Sequence, residues 1–159
     1  MVAQAVQTAS EPAQEAGEER QLVILKVGEE SYGIPIGAVQ EIIRMQRVTP
    51  VPGAAASGIE GILNLRGRII PVMDLRKALG QIPEDHPDRC ITVVEQEGTT
   101  LGLIVDGVTE VLRVDQRSVE PPPAMVSTGA GYVNGIIKLE DRLVTELDLG
   151  ALLSAFGVV

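Results

Sequence analysis

A single histidine, His86, and a single cysteine, Cys90, limit the reactions open to this 159-residue chain. A histidine-based triad would have to use His86, which sits in the acidic, proline-containing stretch Gln81–Asp88 (QIPEDHPD) with no nucleophile set beside it. Cys90 shares no spacing with a second thiol or a histidine that would build a metal site, and a lone cysteine excludes an internal disulfide. Glu84, Asp85, His86 and Asp88 could gather a cation, but a solvated linker accounts for the same residues without one. There is no G-x-S-x-G elbow, phosphate-binding loop or dinucleotide-binding glycine run. No carboxylate pair is set by sequence into a pocket that would split its pKa values. The residue types point away from catalysis, and no metal or cofactor is expected.

The chemistry that remains is recognition by charge. Residues Gly61 to Leu75 (GILNLRGRIIPVMDL) place two apolar runs around a short polar turn, the pattern of a β-hairpin, with Asn64 and Gly67 near a reversal that calls for positive φ. A turn tolerates many polar residues and does not require a guanidinium at its tip. Arg66 is therefore the candidate recognition residue, and Glu41 is its candidate partner. If the elements of the first half pack as described below, the two sit at one end of a barrel as an ion pair. An exposed pair adds only about 0.2–1 kcal/mol to folding, so its value would lie in aiming a guanidinium at a partner.

The elements that must hold these residues are short. Residues 1–20 are rich in Ala, Gln and Glu without sustained apolar periodicity and read as a solvated acidic tail. Leu22–Val27 reads as a strand, Gly28–Ser31 as a turn and Tyr32–Ile36 as a second strand, with Pro35 marking an edge or irregular position. Gly37–Arg44 fits a helical turn running into a strand, and Thr49–Gly58 is a loop by composition. After the central hairpin, Asp74 is placed to N-cap a short helix, Leu75–Leu79, that Gly80 stops. Strands resume at Cys90–Glu95, turn at Gln96–Gly98 and return through Leu101–Val105. A second hairpin, Gly135–Val144, leads to Asp148 and a final helix through Phe156.

The two halves repeat each other, which is the strongest organisational signal in the chain. Tyr32–Arg44 lies over Leu101–Arg113 without a gap, and the central hairpin with its Asp-Leu helix start lies over Gly135–Leu149. Short strands with frequent turn residues, repeated in this way, predict a mainly β fold of two small barrels, not an α/β sheet. The expected division is a tail (1–20), a first lobe (21–80), a linker (81–89) and a second lobe (90–159). The repeat also provides an internal control. Gly61, Ile62, Leu65, Arg68, Asp74 and Leu75 recur as Gly135, Ile136, Leu139, Arg142, Asp148 and Leu149, so they serve the barrel itself. Arg66 falls opposite Glu140 and Asn64 opposite Lys138, so the hairpin forms without them. Glu41 recurs as Glu110.

Net charge is −9 with a pI near 4.6, and Lys and Arg form no long block, so attraction to nucleic acid is poor. Tyr32, Tyr132 and Phe156 are the only aromatics, too few for base-stacking platforms. No apolar run approaches the roughly 20 residues that span a bilayer, and no basic region followed by an apolar segment opens the chain. A cytoplasmic protein with no direct membrane insertion is expected.

Val39-Gln40-Glu41-Ile42, Asn64-Leu65-Arg66-Gly67, Ile70-Pro71-Val72-Met73-Asp74-Leu75 and Val105-Asp106-Gly107-Val108 together resemble the CheW family of chemotaxis coupling proteins, over nearly everything from Leu22 to Leu153. The resemblance implies two SH3-like five-stranded β-barrels with short helices, a hydrophobic interface and a groove between them. It implies a non-catalytic scaffold that couples the cytoplasmic tips of transmembrane chemoreceptors to the regulatory domain of a CheA-type histidine kinase, monomeric outside the arrays. On that analogy Val39, Glu41, Asn64 and Arg66 face the receptor and Gly102 and Val105 line the groove. Gly61, Ile42 and Ile69 serve the kinase contact. The absence of room for a receiver domain favours the stand-alone form. The same scaffold also fits an array that controls pili or gliding, and a nucleic-acid-associated SH3-like barrel is the rival from another class.

Overall fold

A computed structural model of the chain describes residues 19–53, 58–82, 84–123 and 132–155. Most of tail 1–20 and Phe156 lie outside the described residues. Among the described residues, eleven strands are set into two sheets, with little helix. β1 (Glu19–Val27) and β2 (Glu30–Pro35) pair as a hairpin, and a 3-10 turn (Ile36–Ala38) leads into β3 (Val39–Arg44). β4 (Ile59–Leu65) and β5 (Arg68–Asp74) form the central hairpin, followed by the one-turn helix α1 (Leu75–Ala78). β6 (Cys90–Gln96) and β7 (Thr99–Val105) form the next hairpin, and β8 (Gly107–Asp115) and the short β9 (Val119–Glu120) follow. β10 (Val133–Lys138), β11 (Leu143–Leu147) and α2 (Leu149–Ala155) complete the chain.

The sheets do not follow the halves of the sequence. One sheet runs β3-β6-β7-β5-β4 and the other β8-β1-β2-β11-β10-β9. Each half keeps its own β3–β5 or β8–β11 elements but lends its leading hairpin to the other barrel. The division into lobes at 81–89 is thereby corrected, since β6 and β7 lie beyond it in sequence yet form the centre of the first barrel. The repeat itself is obeyed closely: β5 pairs parallel with β7 through Val72 and Gly102, and β11 pairs parallel with β2 through Glu146 and Gly33. The second barrel has six strands, because the two residues of β9 pair where the first has only the bridge Thr49 to Ile62.

The lent hairpins are buried on both faces, which explains their near-continuous apolar runs. Leu22 and Ile24 join Leu112, Val114, Ile137 and Val144 inside the second barrel. Ile91, Val93 and Ile104 join Leu63, Ile70 and Val72 inside the first. The alternate residues of the same strands, Val23, Leu25 and Val27 on β1 and Leu101, Leu103 and Val105 on β7, meet across the seam with Met73, Leu147 and both helices. Sixteen buried residues form this seam against six in either barrel, so the two lobes share their largest core. This seam is the hydrophobic interface between lobes that the resemblance implies.

Local chemistry sets the element ends. Asp74 caps α1 through its side chain, which accepts from the Arg76 N–H at 3.0 Å, and Gly80 follows at φ +79. Asp148 repeats the device, accepting from the Ala151 N–H at 3.1 Å. β1 begins at Glu19, earlier than the apolar run indicates, because Arg20 finds the carboxylate of Glu146 at 2.7 Å. β2 is not an edge: it lies between β1 and β11, and Pro35 is tolerated as its last residue, beyond the Ser31–Gly33 segment that pairs with β11.

Candidate functional site

The β4–β5 turn is a two-residue reversal, because Leu65 pairs with Arg68. Arg66 (φ +52) and Gly67 (φ +86) both occupy the left-handed region, as a type I′ turn requires. The reversal thus falls at residues 66 and 67, beside Asn64. Asn64 is instead the penultimate residue of β4, and its side-chain oxygen accepts from the Gly67 N–H at 2.9 Å. An arginine at φ +52 is unfavourable relative to glycine or asparagine. The turn sets where the Arg66 side chain leaves the backbone, and the ion pair to Glu41 places its guanidinium.

Glu41 meets that guanidinium. A bulge at Gln40 shifts the β3 register, so that Val39 pairs with Val94 and Glu41 with the next residue, Val93. Val39 therefore packs against the seam core, while Glu41 turns to the mouth of the first barrel and binds the Arg66 Nη2. The Arg66 side chain is 70% exposed and that of Glu41 is 30% exposed, so a partner can reach the pair without unfolding anything. Beside it Arg68 donates to Thr100 Oγ1 at 2.9 Å and Gln40 to Glu95 Oε1 at 2.7 Å, giving this end of the barrel a rim of mutually fixed polar groups.

The other expected site residues separate into surface and support. Ile69 and Ile42 are exposed, at 61% and 47%, but lie on β5 and β3, with β6 and β7 between them. Gly61, Gly102 and Val105 are buried and present no surface to a partner. A Cβ on Gly61 would lie 2.2 Å from the Thr49 carbonyl oxygen, so this glycine lets the β3–β4 connection cross close to β4. A Cβ on Gly102 would lie 2.9 Å from Ile91 Cγ2, and Val105 belongs to the seam core. All three therefore lie beneath the surface of the first barrel and its seam.

Two charged groups matter to which the sequence assigned no role, Arg76 and Asp106, the latter within the Val105-Asp106-Gly107-Val108 motif. Arg76 on α1 holds Asp106, at the β7–β8 junction, through two bonds of 3.0 and 2.6 Å, and donates a third to the Ile82 carbonyl at 2.9 Å. Asp106 also accepts from the Gly28 N–H at 2.6 Å, so one carboxylate ties α1, the β1–β2 turn and β8 together at the end of the seam. Burial pushes the Asp106 pKa up, but the bonds from Arg76 and Gly28 outweigh it and hold the carboxyl below its ordinary value. Burial raises the pKa of nearby Asp74 despite its bonds to the Arg76 N–H and to Arg89. The available signal was Asp106 standing inside the apolar run LGLIVDGV, since an acid there is buried and must be paired.

No group of three or more His, Cys, Asp or Glu side chains that could hold a metal ion is present among the described residues. The open cavity of about 540 Å³ by β3 is lined by Ile42, Arg44, Met45, Asp88 and Cys90 among others, with no nucleophile and base paired in it. The arrangement is suited to docking another macromolecule.

The CheW-like domain profile matches residues 21–156, nearly the whole described structure. This chain belongs to the CheW family. It is 36% identical over 144 residues to the chemotaxis protein CheW of Treponema pallidum, covering 87% of this chain and 84% of the relative. It is 33% identical over 138 residues to that of Klebsiella aerogenes, covering 86% and 82%. Among solved structures it matches the scaffolding protein TtCheW from Thermoanaerobacter tengcongensis at a TM-score of 0.78 and 38% identity, covering 86% of this chain and 93% of that one. The chain is thus a chemotaxis scaffold of a non-catalytic, mainly β family. Among the described residues no helix is long and apolar enough to cross a membrane.

Proposed function

We propose that this CheW-family chain couples the cytoplasmic tips of transmembrane chemoreceptors to the regulatory domain of a CheA-type histidine kinase, as a cytoplasmic protein recruited to membrane-associated receptor arrays. The observation that carries this reading is the Arg66–Glu41 pair: a guanidinium on a strained turn, exposed, and fixed from below by a half-buried carboxylate. A helical hairpin with an apolar stripe and an acidic register residue would meet that guanidinium at the barrel rim. Val39, Glu41, Asn64 and Arg66 are assigned to the receptor face. Exposed Ile69 and Ile42 supply apolar contact to the kinase. Gly61, Gly102 and Val105 act indirectly by fixing strand spacing under these faces. Signalling interfaces of this kind are small, and array avidity supplies the remaining stability.

Receptor-dependent kinase activation in a reconstituted mixture of receptor fragments, kinase and this chain tests the reading. Arg66→Glu is expected to abolish activation while the chain stays folded with a melting temperature within a few degrees of the parent. Normal activation by the folded variant would remove Arg66 from recognition. A pull-down that recovers RNA instead of kinase and receptor would overturn the coupling role.

A further inference from the structure

The repeat builds the same polar rim twice, with one residue changed. In both barrels a bulge sets the rim glutamate: Val39 pairs with Val94 and Glu41 with Val93, and likewise Val108 pairs with Leu25 and Glu110 with Ile24, leaving Gln40 and Thr109 as the extra residues. In both an arginine stands at the start of the returning arm of the hairpin, Arg68 as the first residue of β5 and Arg142 just before β11. In both a hydroxyl lies at the matching place on the neighbouring strand, Thr100 on β7 and Ser31 on β2. The first tip residue differs, being Arg66 in one barrel and Glu140 in the other.

That one change redirects the strand arginine. Where the tip carries an acid, Arg142 takes the rim glutamate, its Nη2 binding Glu110 Oε2. Where the tip carries Arg66, that guanidinium takes Glu41, and Arg68 donates its Nη2 to Thr100 Oγ1 at 2.9 Å instead. The second barrel thus displays where a guanidinium at the position of Arg68 goes when the tip does not compete for the glutamate. Glu41 has two cations available to it and one in use. A bond to a neutral hydroxyl is weaker than one to a carboxylate, so little holds Arg68 on Thr100 once Glu41 is open.

We propose that Arg68 is a positioning residue for the receptor contact: when the Arg66 guanidinium turns to a carboxylate of the partner, Arg68 leaves Thr100 and takes over Glu41. The inference rests on the reading of Arg66 as receptor-facing. Without a successor, release of Arg66 strands the carboxylate of Glu41, whose side chain is only 30% exposed, and the cost is subtracted from binding. With Arg68 the carboxylate exchanges one guanidinium for another, and the Thr100 hydroxyl turns to water. Arg68 is exposed, so the exchange needs rotation of its side chain and no movement of the strand. The exchange also selects the partner: an acidic group draws Arg66 away, whereas an apolar or basic one leaves the Arg66–Glu41 pair closed.

The exchange is tested first in the free chain, by urea unfolding of Arg66→Gln, Arg68→Gln and the double variant, each with Glu41 kept and with Glu41→Gln. Each single change is expected to alter the folding constant less than about twofold, because the other arginine holds Glu41. The double variant should lose about threefold more than the two single changes together, and Glu41→Gln should remove that excess. A crystal structure of Arg66→Gln should show Arg68 on Glu41. Independent effects of the two changes, an excess that survives Glu41→Gln, or Arg68 still on Thr100 in that structure overturns the proposal.

Affinity for a chemoreceptor cytoplasmic fragment supplies a readout that a stabilising role alone does not move. Arg68→Gln should weaken binding about threefold with the urea midpoint unchanged, and Arg68→Lys should restore it. In a Glu41→Gln background Arg68→Gln should have no effect on affinity. Unchanged affinity in Arg68→Gln, or a loss that persists with Glu41→Gln as direct contact would give, overturns the exchange. Normal activation by Arg66→Glu overturns both the receptor reading and this one, whereas lost activation by Arg66→Glu with independent arginines overturns the exchange alone.

Discussion

The two barrel mouths use the same glutamate in opposite ways. In the first, Glu41 reaches out to Arg66 on a two-residue turn, and the arginine side chain stays 70% exposed. In the second, the equivalent Glu110 is held by Arg142, which stands at the repeat position of Arg68, and the two side chains are only 12% and 32% exposed. The turn there has the same length, with the Leu139 N–H donating to the Arg142 carbonyl at 2.9 Å, but neither Glu140 nor Asp141 has positive φ. Arg68, released from Glu41 by Arg66, turns to Thr100 instead. A shared acid in the barrel rim is therefore structural by origin. What distinguishes the first mouth is that its cation is displaced to a strained tip, where it can serve a partner as well as the fold.

The largest effect should come from the clamp that both mouths depend on. Asp106→Ala leaves the buried Arg76 charge without its acid and is expected to cost about 3–5 kcal/mol, read as a lowered urea midpoint with both barrels lost in one transition. Two separate transitions would show that the lobes are more independent than their shared seam implies. The same carboxyl gives a pH dependence. Its pKa is held below the ordinary value of about 3.9, so its stabilisation is present above that pH and is lost as pH falls through the lowered folded value. Asp74, raised by burial, acts in the opposite sense, stabilising below the ordinary value and losing that contribution as pH rises through its own. Asp106→Asn should flatten the acid limb of the stability profile relative to the parent.

A second charge separates the barrels more sharply. Glu146 points into the second barrel with Arg20 at 2.7 Å, and its Oε1 has no partner among the described residues. The repeat places Val72 at the matching position of the first barrel, where it is packed in the apolar core. Arg20→Ala should therefore cost about 2–3 kcal/mol by stranding a buried carboxylate. Arg20→Leu with Glu146→Val should recover most of that loss, because the first barrel already runs on the apolar choice. A double variant no more stable than Arg20→Ala would mean that the second mouth needs its ion pair for shape.

Much of this was readable before any coordinates, and the parts that were not share a cause. Hairpins, caps and the Glu41–Arg66 pair follow from local pattern plus the repeat, because Asp74, Gly80, Gly67 and the alternation of β3 each act within a few residues of themselves. Which barrel a hairpin joins is not local. The run Leu22–Leu25 announces burial on both faces, yet the same run would be written whether β1 completed its own barrel or the other one. Arg76 reads as a solvent-facing helix residue until Asp106, 30 positions away, is brought to it. Gly102 and Val105 were assigned to a groove for the same reason, since a strand buried on both faces has no outward side to line one.

Charge reversal then compares the mouths directly. Arg142→Glu sets a like charge against the largely buried Glu110 and should cost about 2 kcal/mol, whereas Arg66→Glu at the exposed tip should stay within about 0.5 kcal/mol. The functional order is expected to invert. Receptor-dependent activation survives Arg142→Glu below its melting transition and fails with Arg66→Glu. Equal stability losses would erase the distinction between a structural and a presenting arginine, and equal functional losses would place part of the receptor face on the second barrel.

The smallest effect is the most diagnostic of why the tip is built as it is. Asn-Gly is the preferred pair for a type I′ turn, whereas Arg66 at φ +52 works against the intrinsic preference of its backbone. Arg66→Asn should therefore raise stability by about 0.5 kcal/mol, seen as a small upward shift in the urea midpoint. The Glu97-Gly98 turn provides the control: it has the same signs and nearly the same φ values, +52 and +84, but no partner role is assigned to it. Glu97→Asn should give a comparable gain with activation unchanged. If Arg66→Asn stabilises the fold and ends activation while Glu97→Asn only stabilises, the strain at residue 66 is retained for the guanidinium it holds out. If Arg66→Asn destabilises the chain, the ion pair to Glu41 outweighs the backbone cost and the tip is structural like its counterpart.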